Sequence, residues 1–491
     1  MKCIVAIALI LTATAALAQE EFETRGSDSE RIAGAFLAGD RGVVPVTSTL
    51  APSPHRLRAA TLTTVTGSLR VNATSQQDTE PAIGADVQGV NETDYIAWMQ
   101  WDYGFNTTVR GAIVQRVNGA IVQTALITPA HNHANSGDPV VVVNHADTGF
   151  NPHRAYMFYT DFNPSISTTS ITMSSSNNNF TTPTTVFSEV RANVMLDKPA
   201  ATVSEHAGSL GDVYCVFMEF EDGFASQLLL FRLNPANGQW YQAGTVPLPF
   251  SHPYIQSPSI VVDPTNGHLY ISYIDQVNNV LYMVHGTPST GPGGIVFVTC
   301  DAPSSTGPGV AFYHNPLLQG EWTDRLDYTP LGTQGVSMIT SRYNNADHSI
   351  GVVYHGYDSG VTHVYLARYV PGAQYAWQGY QQIIAGNTEE QWNGAIDDDP
   401  QGRYLLTYYA RSTGSVYYRS CSRLISANGT PIGTASCWAD YSACGTCPPV
   451  FPTLGEYQDV AYANGVWRSA TVYQTQGDSG DFDIYHLTIQ P

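Results

Sequence analysis

Lysine is nearly missing from this chain of 491 residues: only Lys2 and Lys198 occur, and the formal net charge is −20. A surface that acidic repels phosphate backbones and anionic lipid headgroups, so nucleic acid and membrane surfaces are excluded as expected partners. Charged residues make up only 13% of the chain, and no stretch repeats its apolar residues with a helical period of useful length. Beyond the first residues no apolar run approaches the ~20 residues a bilayer span requires, which argues against membrane insertion.

What is present begins with an export signal. Met1-Lys2 leads an apolar run from Cys3 to Ala15, and Ala16-Leu17-Ala18 precedes Gln19. A charged start, an apolar segment and a small-x-small site predict a signal peptide over residues 1–18. The mature protein is then expected to be secreted, extracellular or periplasmic, and a monomer. Residues 19–56 have little periodicity and read as an extended lead-in to a domain over residues 57–491. Asn72, Asn91, Asn106, Asn179 and Asn428 each open an N-x-[ST] sequon, of consequence only in a host that glycosylates.

Once Cys3 leaves with the signal, Cys215, Cys300, Cys421, Cys437, Cys444 and Cys447 remain. An even number in an exported chain favours disulfides. Cys421 and Cys437 flank the hairpin signal Ser426-Ala427-Asn428-Gly429 and are expected to bond across two strands. Cys444 and Cys447 form a lone C-x-x-C, read as a local disulfide because no second pair or histidine accompanies it. Cys215 and Cys300 either pair or stay buried and free.

The strongest pattern is a repeat. Ser257 to His285 holds a β-branched run behind a proline, a turn at Asp263-Pro264-Thr265-Asn266-Gly267, an alternating strand, a second turn and a third strand. The anchor prolines Pro81, Pro139, Pro199 and Pro258 recur at intervals of 58, 60 and 59 residues, a repeat-protein period. Another β-like stretch precedes each new anchor, for example Thr184 to Val194. The fold class expected is therefore all-β, a seven-bladed β-propeller of four-stranded antiparallel blades, with six blades and a sandwich array as alternatives. The chain ends after the third strand of the seventh unit. Residues 60–71, Ala60 to Val71, are expected to supply its fourth strand.

The segments DKPAATV, SPSIVVDPTNGHLYISY and GEYQDVAYANGVW…GDSGDFDIYHLTI resemble the sialidase-like propeller superfamily, from about Ala60 to the C-terminus. The resemblance implies the propeller fold. It does not carry sialidase chemistry across, since the chain has no S-x-D-x-G-x-[TS]-[WF] box and no Arg-Ile-Pro segment opens the first blade.

In a propeller the loops entering each inner strand and leaving each second strand share one rim. Reading that rim gives Asp161, Glu221, Asp275 and Asp358 as candidate catalytic carboxylates. Trp101, Asp138, Lys198, His355, Tyr357, Trp392, Arg411 and Tyr457 are the candidate substrate-binding residues. Carboxylates accept sugar hydroxyls, rings stack on the apolar sugar face, and a close acid pair suits glycoside hydrolysis. Clustered acids also raise one another's pKa, so some rim acids are expected to keep a proton near neutrality. The function expected is binding or hydrolysis of neutral rather than sialylated glycans, with a non-catalytic lectin or interaction scaffold as the alternative.

A second alternative is a polysaccharide lyase. The placement of His133 and His153 is similar to that in seven-bladed lyases of the ulvan-degrading kind, with Lys198 and Tyr214 as further candidates. An acidic mouth disfavours uronate substrates. No cofactor is expected. Asp478, Asp481 and Asp483 form a hard-oxygen set suited to a structural calcium, although the bland reading is a turn between two strands of the last blade.

Overall fold

The computed structural model describes residues 64–490, leaving out 102–105, 164–166, 222–225, 247–254, 276–279, 289–310, 313–338, 384–388, 413–417, 439–457, 475–481 and shorter stretches. The chain forms seven four-stranded antiparallel sheets, each a blade. Blade 1 is typical: Gln77–Gln88 is the inner strand, followed outward by Asn91–Trp101, Thr107–Val117 and Ala120–Ile127.

The other inner strands are Asn135–Val143, Val194–Val203, Ile255–Val262, Thr340–Tyr343, Glu389–Asp398 and Asp459–Ala463. They touch one another in order, and the seventh touches the first, which closes the ring. Seven blades, not six, surround the axis. The outer strand of blade 7 is Thr64–Arg70, from the opposite end of the described chain, paired with Phe482–Gln490.

The core lies between blades, because each radial sheet presents both faces to a neighbour. Blades 1 and 2 share Ala97, Met157 and Tyr159, while blades 2 and 3 share Phe158, Phe217 and Phe231. Such strands read as apolar on both faces, as Leu228–Leu230 and Val352–Tyr354 do. Only the inner edge of each blade faces the axis, so loops and inner-strand termini decide what the axis offers.

Cys421 and Cys437 lie directly opposite each other in the third and outer strands of blade 6 and are bonded. The turn between those strands closes on Gly429, whose φ of 88° suits glycine. Cys215 is a buried free thiol in blade 3. Cys300, Cys444 and Cys447 lie outside the described residues, as do the signal segment and the lead-in.

Candidate functional site

Residues from the later part of each of the seven inner strands line one axial cavity, so the strands run in the same direction along the axis. Their first residues, together with the ends of the second strands, make up the opposite rim, called upper here.

At that rim the same irregularity recurs in five blades. The pairing of inner with second strand slips between Thr79 and Ala82, Gly137 and Val140, Asp197 and Ala200, Gln256 and Ser259, and Trp392 and Ala395. Each slip is a one-residue bulge, and one residue in each adopts the left-handed region: Glu80 (φ 54°), Asp138 (49°), Lys198 (48°), Ser257 (54°) and Asn393 (50°). Proline follows the first four and Gly394 the fifth. Proline lacks an N–H and is tolerated at bulges and edge strands, and an inner strand is an edge facing the axis. The anchor prolines of the sequence therefore mark a structural tier.

That tier is polar and stitched from blade to blade. Lys198 Nζ donates to Asp138 Oδ1 at 2.7 Å across blades 3 and 2, and Thr160 Oγ1 donates to Asp138 Oδ2 at 3.3 Å. Burial pushes the Asp138 carboxyl up, but the Lys198 charge and hydrogen bonds bring it net below its ordinary range. Arg411 Nε donates to Glu390 within blade 6, and both are buried. The Asn393 N–H donates to His355 Nδ1 at 3.4 Å, joining blades 6 and 5. Gln458 Nε2 donates to the Asn393 carbonyl at 3.0 Å, joining blades 7 and 6.

The remaining sequence candidates sit as follows. Asp161 is fully buried and accepts the N–H groups of Asn132 (2.6 Å) and His133 (3.1 Å), pinning the loop that enters blade 2. Glu221 ends the second strand of blade 3, half exposed, 3.6 Å from Arg191. Asp275 and Asp358 are the last residues of the second strands of blades 4 and 5, and Tyr357 precedes Asp358; their side chains lie outside what is described. So does all of Tyr457. Trp101 is half-buried, its indole N–H donating to Thr79 Oγ1 at 3.2 Å. Trp392 is in the core, packed on Tyr409, with the Arg411 guanidinium 5.8 Å from its ring centroid. A ring so buried leaves no face for a sugar.

Asp78, at the start of the first inner strand, is fully buried and accepts from Trp98 and Gln100, each at 2.9 Å, and from Asn72. Burial outweighs these donors and pushes its carboxyl up to about 7. Asn393 and Thr160 were not among the residues read for the rim, whereas Glu390 was read as one of its entry carboxylates. The Trp-Asn-Gly step replacing X-Pro in blade 6 was the available signal for Asn393.

His133 and His153 do not converge. His133 precedes the inner strand of blade 2, at the upper rim. His153 precedes the second strand and is therefore at the lower end, between Asp86 (3.0 Å) and Asp147 (2.9 Å). Hydrogen bonding to these carboxylates raises the imidazole pKa, the opposite of what a proton-abstracting base needs. Tyr214 is buried in the blade 3–4 core. Of the calcium candidates, Asp483 is fully buried and paired with Arg70 at 2.7 Å. Asp478 and Asp481 lie outside the described residues.

No family model and no curated protein matches the chain. Among solved structures, it is similar to the GH93 α-L-arabinofuranosidase of Fusarium graminearum, solved with arabinobiose, at 11% identity and TM-score 0.42, covering 88% of this chain and 98% of that one. It is also similar to the six-bladed β-propeller lectin of Aleuria aurantia, at 12% identity and TM-score 0.41, covering 75% and 96%. The phage phi92 endosialidase is similar at 10% identity and TM-score 0.38, covering 86% and 69%. Likenesses this distant assign no activity.

Proposed function

We propose that the protein binds or hydrolyses neutral glycans at the upper rim of the propeller axis. The observation that supports this reading is the tier of five left-handed bulges. Backbone strain of this kind costs about 1–3 kcal/mol per position and is found where a fold must aim side chains at a ligand. The tier holds Glu80, Asp138, Lys198, Ser257 and Asn393 at one level of the axis. Its charges are largely paired within the protein, as Asp138 with Lys198 and Glu390 with Arg411. Paired charges suit a neutral hydroxylated ligand, and the acidic surplus of the chain disfavours sialylated ones.

In this reading Asp275 and Asp358, which finish neighbouring second strands at the rim, serve as the acid and base pair. Glu221 lies beside them in blade 3, and Trp101 offers the stacking surface. The engagement of both Asp161 oxygens with backbone N–H groups favours a loop-holding role there. The same engagement supports the alternative of a lectin without hydrolysis.

A neutral and sialylated glycan array combined with a hydrolysis screen tests both. Neutral glycans are expected to bind, and Asp275→Asn and Asp358→Asn are each expected to lower binding or turnover at least tenfold with the fold intact. Preference for sialosides, or full function in both variants, would overturn the assignment.

A further inference from the structure

On the upper face, the notch between blades 6 and 7 gathers three rings. Trp438 ends the outer strand of blade 6, Pro431–Trp438. Tyr473 and Tyr485 belong to the second and third strands of blade 7, Val466–Gln474 and Phe482–Gln490. The Trp438 ring lies 5.1 Å from Tyr473 and 5.2 Å from Tyr485, and the two tyrosine rings are 5.8 Å apart and perpendicular. All three are half-buried. Among the described residues, every other group of three linked rings holds at least one that is fully buried, as Phe217 and Phe231 are beside Phe187.

Strand pairing explains the convergence, because directly opposed residues and their second neighbours share one face of a sheet. Tyr485 opposes Thr471 and Tyr473 opposes Asp483, so the four share a face. Thr471 fixes its direction: its hydroxyl donates to Ser420 Oγ of blade 6 at 3.1 Å. Trp438 opposes Ser420 in blade 6 and faces blade 7 in return. Below the rings the interface closes into an apolar core with Leu424, Trp467 and Leu487, on which Trp438 and Tyr485 pack. Polar groups border the rings. Arg70, at the end of the closing strand, opposes Tyr485 and pairs with Asp483 at 2.7 Å, with 30% of its side chain exposed. Ser436, two residues before Trp438 on the same face, is half-buried.

We propose that this notch is a second saccharide site, taking one sugar ring of a neutral glycan whose apolar face lies on the aromatic rings and whose hydroxyls meet Ser436 and the Arg70–Asp483 pair. The pair brings no net charge, so an anionic group finds no uncompensated cation here. A hydrocarbon chain would cover Ser436 and the ion pair without offering them a hydrogen bond, which is costly. The part-exposed surface of three aromatic side chains is at most on the order of 300 Å². A stable protein interface needs ~800 Å² from each partner, whereas one sugar ring fits the smaller area.

The rings are held against one another and against the core before any ligand arrives, so binding has little left to order. The site shares with the rim reading only the class of ligand. None of its residues belongs to the bulge tier or to the proposed acid and base pair, and its rings come from the join of two blades rather than from the axis.

The test is an array of neutral and sialylated oligosaccharides read with the intact mature protein, with Asp275→Asn and Asp358→Asn combined, and with Trp438→Ala added to that pair. Neutral glycans should still be retained without the two rim aspartates, and adding Trp438→Ala should weaken that retention at least tenfold. Trp438→Phe in its place, which keeps a ring at the notch, should lose less. If the Trp438→Ala protein does not fold, hydrogen exchange of the native protein with and without a retained glycan decides: protection is expected in residues 431–438 and 482–490. No retention once the rim aspartates are replaced would overturn this proposal and leave the rim reading standing. Full retention after that replacement, lost with Trp438→Ala, would support the notch and remove the rim. Unchanged retention in folded Trp438→Ala, protection confined to the inner strands, or retention of sialylated glycans alone would each overturn the notch.

Discussion

At the residue scale, Lys198 shows how a rare residue is fixed in place. It is the single lysine after position 2, it is 3% exposed, and its ammonium is 2.7 Å from Asp138. Removing one member of a buried pair strands the other, at a cost of about 3–5 kcal/mol. Lys198→Met should therefore lower the urea midpoint sharply near neutrality. The sign with pH follows from the lowered Asp138 pKa: its contribution is present above the unfolded value near ~3.9 and is lost as pH falls through the folded one. In the variant, Asp138 escapes its penalty by taking up a proton, so the deficit against the parent should shrink as pH is lowered toward about 4. A deficit that stays constant across that range would show that Lys198 matters for packing and not for charge. Lys198 was legible from scarcity and from its place before an anchor proline. Its partner was not, because 60 residues separate the two and only the closed ring brings neighbouring bulges together. The carboxyls whose protons are held near neutrality, Asp78, Asp398 and Asp459, are pushed up to about 7, 8 and 6 mainly by burial. Burial is a property of the assembled ring and left no trace in local spacing.

Elements were more legible than residues. Anchor proline, turn and alternating strand recur with a period near one blade, and every described blade follows the inner-to-outer order. The bulge itself was not readable, since X-Pro fixes only the proline φ and its neighbour's aversion to the helical region. The Ser426–Gly429 turn shows a short-range signal succeeding. The Ser426 N–H donates to the Thr430 carbonyl at 2.9 Å, and Cys421 meets Cys437 across the hairpin. A crosslink over a sequence separation of 16 stabilises mainly by restricting the unfolded chain, by about 3 kcal/mol for a loop of that length. Cys421→Ala with Cys437→Ala should lose about that much in equilibrium denaturation, with the blade 6 hairpin still formed, because its strands are also paired to the blade interior. An unchanged midpoint would place the constraint elsewhere.

For the whole molecule, stability depends on a seam between the two ends of the described chain. Thr64–Arg70 pairs along Phe482–Gln490, Arg70 reaches Asp483 at 2.7 Å, and Leu69 and Val65 pack against the cores flanking blade 7. Blade 7 is also tied to blade 1. Arg468 donates to Glu92 Oε2 at 2.5 Å and lies 3.0 Å from Asp94, and His486 Nε2 lies 2.8 Å from Asp94. A chain beginning at residue 76 would leave the Phe482–Gln490 strand as a bare edge beside an unclosed core. Loss of Val65 and Leu69 burial alone costs roughly 2–4 kcal/mol, as both are only part-buried, and the bare edge invites pairing between molecules. The truncated protein should melt at a lower temperature than the parent chain and associate in sedimentation. A peptide of residues 60–71 added in trans should restore the melting temperature, since it supplies the missing strand without the covalent link. Rescue by that peptide and not by a scrambled version would assign the loss to the strand itself; an undiminished melting temperature in the truncated protein would show that the ring holds closed on its inner strands and the Arg468 network alone.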